Sequence, residues 1–216
     1  MQPITSDGGA AQAAAAVVAR SLLSPISVAD RPVSASANPK WCEPAARGVL
    51  PAAIRWSGRE RDAEPGGLVS LRHAMPGDAA AILYVERVAF RGSNDGFNSR
   101  QIRRLLANPR AHVAVAEVGG VVGGWCVNLV RTHARSRSGR VYSIAVDPQH
   151  TGRGIGRSLL DWSLGELGAA GANPVYLEVR ASNTAAITLY ESAGFRAVAR
   201  IPGYYSDEAG LRMRRG

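Results

Sequence analysis

Three observations predict an α/β fold built on a mixed central sheet. After residue 67, strand-like alternation and helix-like spacing take turns along the chain. Two strand patterns, "HVAVAEV" and "VVGGWCVNLVR", meet at Gly119-Gly120, which reads as a hairpin turn. A third strand, "VYSIAVDP", is followed by a glycine loop, an apolar helix and the strand "NPVYLEVRA". That strand–helix–strand unit should place its two strands parallel, through a right-handed crossover.

The elements follow in order. "LVSLRHA" alternates like a strand and ends in the turn "MPGD". "AAAILYVERVAF" has helical spacing, as does "SRQIRRLLANP", which Pro109 stops. The hairpin comes next, with "RSRSG" as a polar loop before "VYSIAVDP". The helix after the glycine loop carries Ile155, Leu159, Leu160, Leu164 and Leu167 on one stripe. "SNTAAITLYESAG" is a helix with Asn183 as N-cap and Gly194 just past its end. "AVARIPGYY" and "GLRMRR" supply two last strands.

Residues 1–66 read differently. They are rich in Ala, Pro and Ser, and "SPISVADRPVSASANPKW" has the composition of a flexible linker. "AQAAAAVVARSLL" can form a short helix on propensity alone. The domain division is therefore a flexible N-terminal extension, 1–66, and a folded domain, 67–216. With 46% hydrophobic residues the chain can bury a core of its own.

Net charge is +9, and Lys40 is the only lysine among 26 basic residues. The excess lies in the folded domain, which suits a polyanion or a phosphorylated cofactor. Two cysteines, Cys42 and Cys126, are too few for a disulfide framework, and the four histidines show no ligand spacing, so no metal site is expected. No stretch reaches the ~20 apolar residues of a membrane span, so the chain reads as cytoplasmic, with no membrane partner.

"HTGRGIGRSLL" is the densest signal. Three glycines between a strand and a helix start expose backbone N–H groups where the helix also carries partial positive charge. The spacing is neither the G-x-G-x-x-G of dinucleotide folds nor a G-K-[ST] phosphate loop. The series "IAVDP…GRGIG…LEVRASN…AI.LYE..GF" resembles the GNAT superfamily of N-acetyltransferases, most closely its ribosomal-protein alanine N-acetyltransferase branch. The resemblance covers 67–216. It implies the GNAT acyl-CoA N-acyltransferase fold, a mixed sheet of about six to seven strands with about four helices.

It further implies acetyl-CoA as acyl donor. Backbone amides of Gly152, Arg153, Gly154, Ile155, Gly156 and Arg157 would wrap its pyrophosphate, with Thr151 where the family usually has Gln or Arg. Ile144, Ala145 and Val146 would pair with the pantetheine arm, and Asn183 would contact it. Glu178 takes the place of the proposed base, acting directly or through water, and Tyr190 that of the acid that protonates the departing thiolate.

The residues alone say less. Period two puts Tyr176, Glu178 and Arg180 on one strand face, where burial would push a carboxylate toward the range of a general base. An ion pair with Arg180 or another arginine is the competing reading. Tyr190 can equally be a core phenol.

On the acceptor side, the resemblance assigns "FRGSNDGFNSRQ" and "PGYYSDEAGLRM" to the groove, with Tyr204 and Tyr205 bordering a peptide. Hairpin packing would explain that pair as well. Arg131, Arg135, Arg137 and Arg140 form a basic stretch that would recruit a ribosomal or acidic surface, or simply be a solvated loop. The expected reaction is acetyl transfer to a primary amine, a protein N-terminal α-amine above all. A small-molecule amine acetyltransferase and a non-catalytic acyl-CoA-binding module are the alternatives.

Overall fold

The computed structural model describes residues 19–20, 69–93 and 95–216. In chain order the elements are β1 (Ala19–Arg20), β2 (Val69–His73), α1 (Ala79–Ala89), α2 (Ser99–Leu106), β3 (Ala111–Val118), β4 (Val121–Thr132), β5 (Arg137–Val146), α3 (Ile155–Ala169), β6 (Val175–Arg180), α4 (Thr184–Ser192), β7 (Arg196–Ile201) and β8 (Gly210–Arg215). They form one sheet in the order β2-β3-β4-β5-β1-β6-β8-β7. β2 to β5 are antiparallel neighbours, β5 and β6 pair in parallel across the α3 crossover, and β8 joins β6 to β7 antiparallel. The expected GNAT-type arrangement is present, with seven strands and four helices among the described residues from Val69 on, and β1 makes an eighth strand.

Local chemistry explains the boundaries. Gly119 and Gly120 have φ of 59° and 82°, the two left-handed positions of a tight hairpin turn. Asn98 caps α2 by accepting from the Gln101 N–H while the Gln101 side chain accepts from the Asn98 N–H.

The strands alternate between two cores. Ala114, Cys126, Ile144, Leu177 and Val179 pack with Ile155, Leu159 and Leu160 of α3 and with Tyr190 of α4. Val115, Trp125, Val127 and Ala145 pack with Ile82 and Val85 of α1 and Ile102 of α2.

Two details differ from the expectation. β5 starts at Arg137, so the polar loop shrinks and Arg137 and Arg140 are strand residues. Arg137 donates to the Ala170 carbonyl at the end of α3, 2.9 Å. The antiparallel ladder to β4 extends to Thr132↔Arg137, and ladder pairing outweighs the polar composition.

The second difference is β1. Ala19 and Arg20 lie within the stretch expected to be helical, yet they are a strand between β5 and β6. Isolated alanine-rich helices this short are marginal, whereas two open strand edges supply backbone partners. The rest of the 1–66 extension lies outside the described residues.

The middle of the sheet opens at β5. Val127 pairs with Ser143 and Asn128 with Val141, so Tyr142 is an extra residue, a bulge. β5 and β6 pair only at Gly139↔Val175 and Arg140↔Tyr176. A side chain at Gly139 would meet Leu167 at 3.0 Å and Val175 at 3.2 Å, so glycine allows this close approach. Beyond the bulge the strands separate, as the extra residue bends and twists its strand.

Candidate active site

The glycine loop sits at the mouth of that opening. β5 ends at Val146, a short turn covers Pro148–His150, and α3 begins at Ile155. Gly152 and Gly154 have φ of 78° and 76°, and Gly154 is the N-cap of α3. A side chain at either would meet no atom of the described residues beyond its chain neighbours within 4 Å. Their glycine character thus comes from backbone handedness, and the described residues leave the space before them open. The first-turn amides at Ile155, Gly156 and Arg157 have no acceptor within the helix, which suits an anion.

The side chains around the loop are partly committed. The Thr151 hydroxyl donates to the Pro148 carbonyl at 2.9 Å. Arg157 pairs with Asp161 one turn on, at 2.9 Å, and donates to the Ser192 hydroxyl at 3.1 Å. Arg153 is exposed. Ile144, Ala145 and Val146 are buried, paired with Cys126, Trp125 and Gly124 on the β4 side.

α4 fixes Tyr190. Asn183 caps the helix, its carbonyl oxygen accepting from the Ala186 N–H at 3.0 Å. At the other end the Gly194 N–H donates to Glu191 and the Phe195 N–H to Tyr190, with Gly194 at φ 86°. That is a complete Schellman closure, and the Phe195 ring packs edge-on to Tyr190, centroids 6.1 Å apart. Tyr190 is fully buried, and its hydroxyl has no partner among the described residues. Burial, with Tyr205 adding to it, holds the phenol well above its ordinary pKa. The Ser143 hydroxyl, at the bulge, is also buried without a described partner. Such orphans are costly unless something satisfies them.

Glu178 is 1% exposed, on the strand face expected. It is not an isolated carboxylate. Arg140 donates to its Oε2 twice, at 3.0 and 2.5 Å, and Arg212 to its Oε1 at 2.9 Å. The competing ion-pair reading is therefore realised, through Arg140 and Arg212 and not Arg180. A carboxylate offers about four acceptor sites. The described bonds take two on Oε2 and one on Oε1, which leaves room for a water on Oε1.

Arg140 also reaches the Tyr204 hydroxyl at 3.4 Å, and Tyr204 and Tyr205 pack edge-on, 5.1 Å between centroids. A side chain at Gly210 would sit 2.8 Å from the Tyr204 ring, so glycine there makes room for it.

Arg180 links both sides of the expected acceptor groove. It ion-pairs with buried Asp95, from the segment between α1 and α2. It also donates to Asp207 at 2.7 Å and Glu208 at 2.8 Å, in the β7–β8 turn, and lies 4.5 Å over the Tyr205 ring. Beside this, Glu86, Phe90, Gly92, Ser93, Gly96 and Phe97 line a hollow of about 460 Å³.

Glu178, Tyr204 and Tyr205 are thus brought together, with Tyr190 close enough for Tyr205 to influence it. Sequence reasoning missed Arg140 and Arg212 as partners of Glu178, and the pairing of Asp95, inside the stretch assigned to the groove, with Arg180. The cue for Arg212 was cross-strand register: it faces Glu178 directly in the β6–β8 ladder. Asp95 has no cue, since it is 85 positions from Arg180.

Among the described residues no cluster fit to hold a metal occurs, and no helix is long and apolar enough to cross a membrane. Cys126 is a free buried thiol, pushed up to about 12 by burial.

A family model described as "Acetyltransferase (GNAT) family" matches residues 79–195. The N-alpha-acetyltransferase RimI of Mycobacterium tuberculosis is 37% identical over 155 residues, covering 67% of this chain and 87% of that protein. The ribosomal protein bS18-alanine N-acetyltransferase of Escherichia coli (strain K12) is 46% identical over 70 residues, 32% of this chain and 47% of that protein, so that match spans under half of the relative's length. The crystal structure of the ribosomal-protein-S18-alanine N-acetyltransferase from Escherichia coli superposes with a TM-score of 0.59 at 25% identity, covering 68% of this chain and 93% of that one. The strand–glycine–helix loop, the parted parallel strands and these relatives agree, and the chain belongs to the GNAT family as an acetyl-CoA-dependent N-acetyltransferase.

Proposed function

We propose that the protein acetylates the N-terminal α-amine of a protein. The single observation that carries this reading is the buried Tyr190 hydroxyl, without a partner among the described residues, on a side chain that the α4 closure locks into the same core as Ile144 and Val179. A neutral phenol there can donate to a developing thiolate. The relatives named for α-amine and ribosomal-protein alanine acetylation support the acceptor class. A ribosomal or other acidic surface is the partner that suits the basic domain.

In this reading the amides of Gly152 to Arg157 take the pyrophosphate of acetyl-CoA, and Ile144 to Val146 pair with its arm beside Asn183. The acceptor amine, entering past Tyr204 and Tyr205, attacks the thioester carbonyl. A C–N bond forms, the C–S bond breaks, and the departing thiolate, hydrogen-bonded by the Tyr190 hydroxyl, takes its proton and leaves as thiol, while the phenolate recovers a proton from solvent as CoA departs. The amine's surplus proton passes to a water on Glu178 Oε1, and Arg140 and Arg212 hold that carboxylate in place. An α-amine near pKa 7.8 is roughly 10–15% neutral at pH 7, against about 0.04% for lysine, so a carboxylate restrained by two guanidiniums is asked for little. The enzyme acts in the cytoplasm.

The test is a screen of short peptides with free or blocked N-termini, lysine side chains and small amines, read by CoA release. Free α-amines should be preferred at least tenfold over lysine. Turnover confined to small amines would replace this reading, and CoA binding with no turnover on any amine would leave a binding module.

A further inference from the structure

The two-residue strand β1 occupies the gap between β5 and β6. Ala19 pairs with Ile144, Arg20 with Ser143, and Ala19 also with Val179, antiparallel on both sides. One strand between two others sets β5 and β6 about 9–10 Å apart there, twice the usual spacing. At Ser143, Ile144 and Val179 the inserted backbone pairs with the facing edges, where they would otherwise carry open N–H and C=O groups.

We infer that the parted edges of β5 and β6 are a binding surface for an extended polypeptide strand, that residues 19–20 are its resident ligand, and that this strand and acetyl-CoA exclude each other. The exclusion rests on the cofactor reading above, in which the arm of acetyl-CoA pairs with Ile144 to Val146. Ile144 is common to both. Its outer edge can hold one partner at a time, since its other side is spent on Cys126 of β4. Acetyl-CoA must therefore displace β1, and the N-terminal segment lowers the apparent affinity for the donor in proportion to the time it spends in the gap. Because the strand is tethered to the domain it fills, even weak pairing is effective, equivalent to a high local concentration.

The experiment uses the full chain and Ala19→Pro, which removes the N–H of the residue paired on both sides. Hydrogen exchange without CoA reads the arm independently of the cofactor. The peptides carrying Ser143–Ile144 and Val179 should be protected in the parent and exchange faster in A19P. Calorimetry with acetyl-CoA should show Kd falling about three- to tenfold in A19P. The capped peptide AVVARSLL, the sequence of 16–23, should restore both the protection and the weaker Kd. Equal exchange in parent and variant would overturn the surface and its ligand. Faster exchange with unchanged Kd would overturn the exclusion. Failure of acetyl-CoA to bind either protein would overturn the cofactor reading, and the exclusion with it, while the exchange data would still decide whether β1 is seated.

Discussion

Tyr190 and Glu178 differ in what their surroundings ask of them. Tyr190 has no described partner for its hydroxyl. Tyr190→Phe should therefore slow turnover tenfold or more without lowering the melting temperature, because it deletes an unsatisfied buried group. Its raised pKa also fixes a pH dependence. The folded state keeps the phenolic proton while the unfolded chain loses it near pH 10. Stability is therefore fully present below that value and lost as pH rises beyond it. Thermal melts from pH 8 to 11 should show a smaller decline in Y190F than in the parent, with some decline remaining from Tyr205, raised in the same direction. Glu178→Gln should cost turnover about 100-fold if the water on Oε1 takes the amine's proton. It also leaves Arg140 and Arg212 without their anion, so melting temperature must be measured on the same sample. A Gln variant that melts lower yet turns over normally would reduce Glu178 to an anchor for the two arginines. Gly210→Ala is a third residue test. Its side chain would press on Tyr204, so peptide KM should rise severalfold with kcat nearly unchanged.

At the scale of elements, the start of α3 separates two reasons for glycine. At φ 76°, Gly154→Val strains the backbone and destabilises by about 1–3 kcal/mol, so a lost CoA response in that variant says little by itself. Gly154→Asn tolerates the left-handed conformation yet still projects a side chain into the open space. It should melt near the parent and lose most of the thermal shift that acetyl-CoA induces in the parent; a full shift would remove this loop from the site. The boundaries of α3, β6 and α4 were legible because periodicity, the Asn183 cap and the Gly194 closure are local signals. The start of β5 was not, since "RSRSG" is polar and only the ladder to β4 makes it strand. The parting of β5 and β6 was equally hidden, because a bulge at Tyr142 depends on register with Asn128.

For the whole molecule, Arg180 is the tie between the segment after α1 and the β7–β8 turn. Arg180→Met would leave Asp95, buried at 3% exposure, beside Asp207 and Glu208 with no counter-charge. The melting temperature should fall by roughly 5 °C or more, and peptide KM should rise while acetyl-CoA affinity stays close to the parent's, since the loop at Gly152–Arg157 is elsewhere. A change in CoA affinity matching the change in KM would mean that the two sides of the site are not separable. By itself the sequence determined the order and type of nearly every element in 69–216, the face on which Glu178 lies, and the glycine loop, because each is set by period, cap or turn chemistry within a few residues. Only the tertiary structure decided that two arginines from β5 and β8 hold Glu178, that Asp95 reaches Arg180, and that Ala19–Arg20 enter the sheet as a strand. Those contacts join positions far apart in the chain, where distance in sequence carries no information and backbone edges and buried charges take whichever partner folding brings to them.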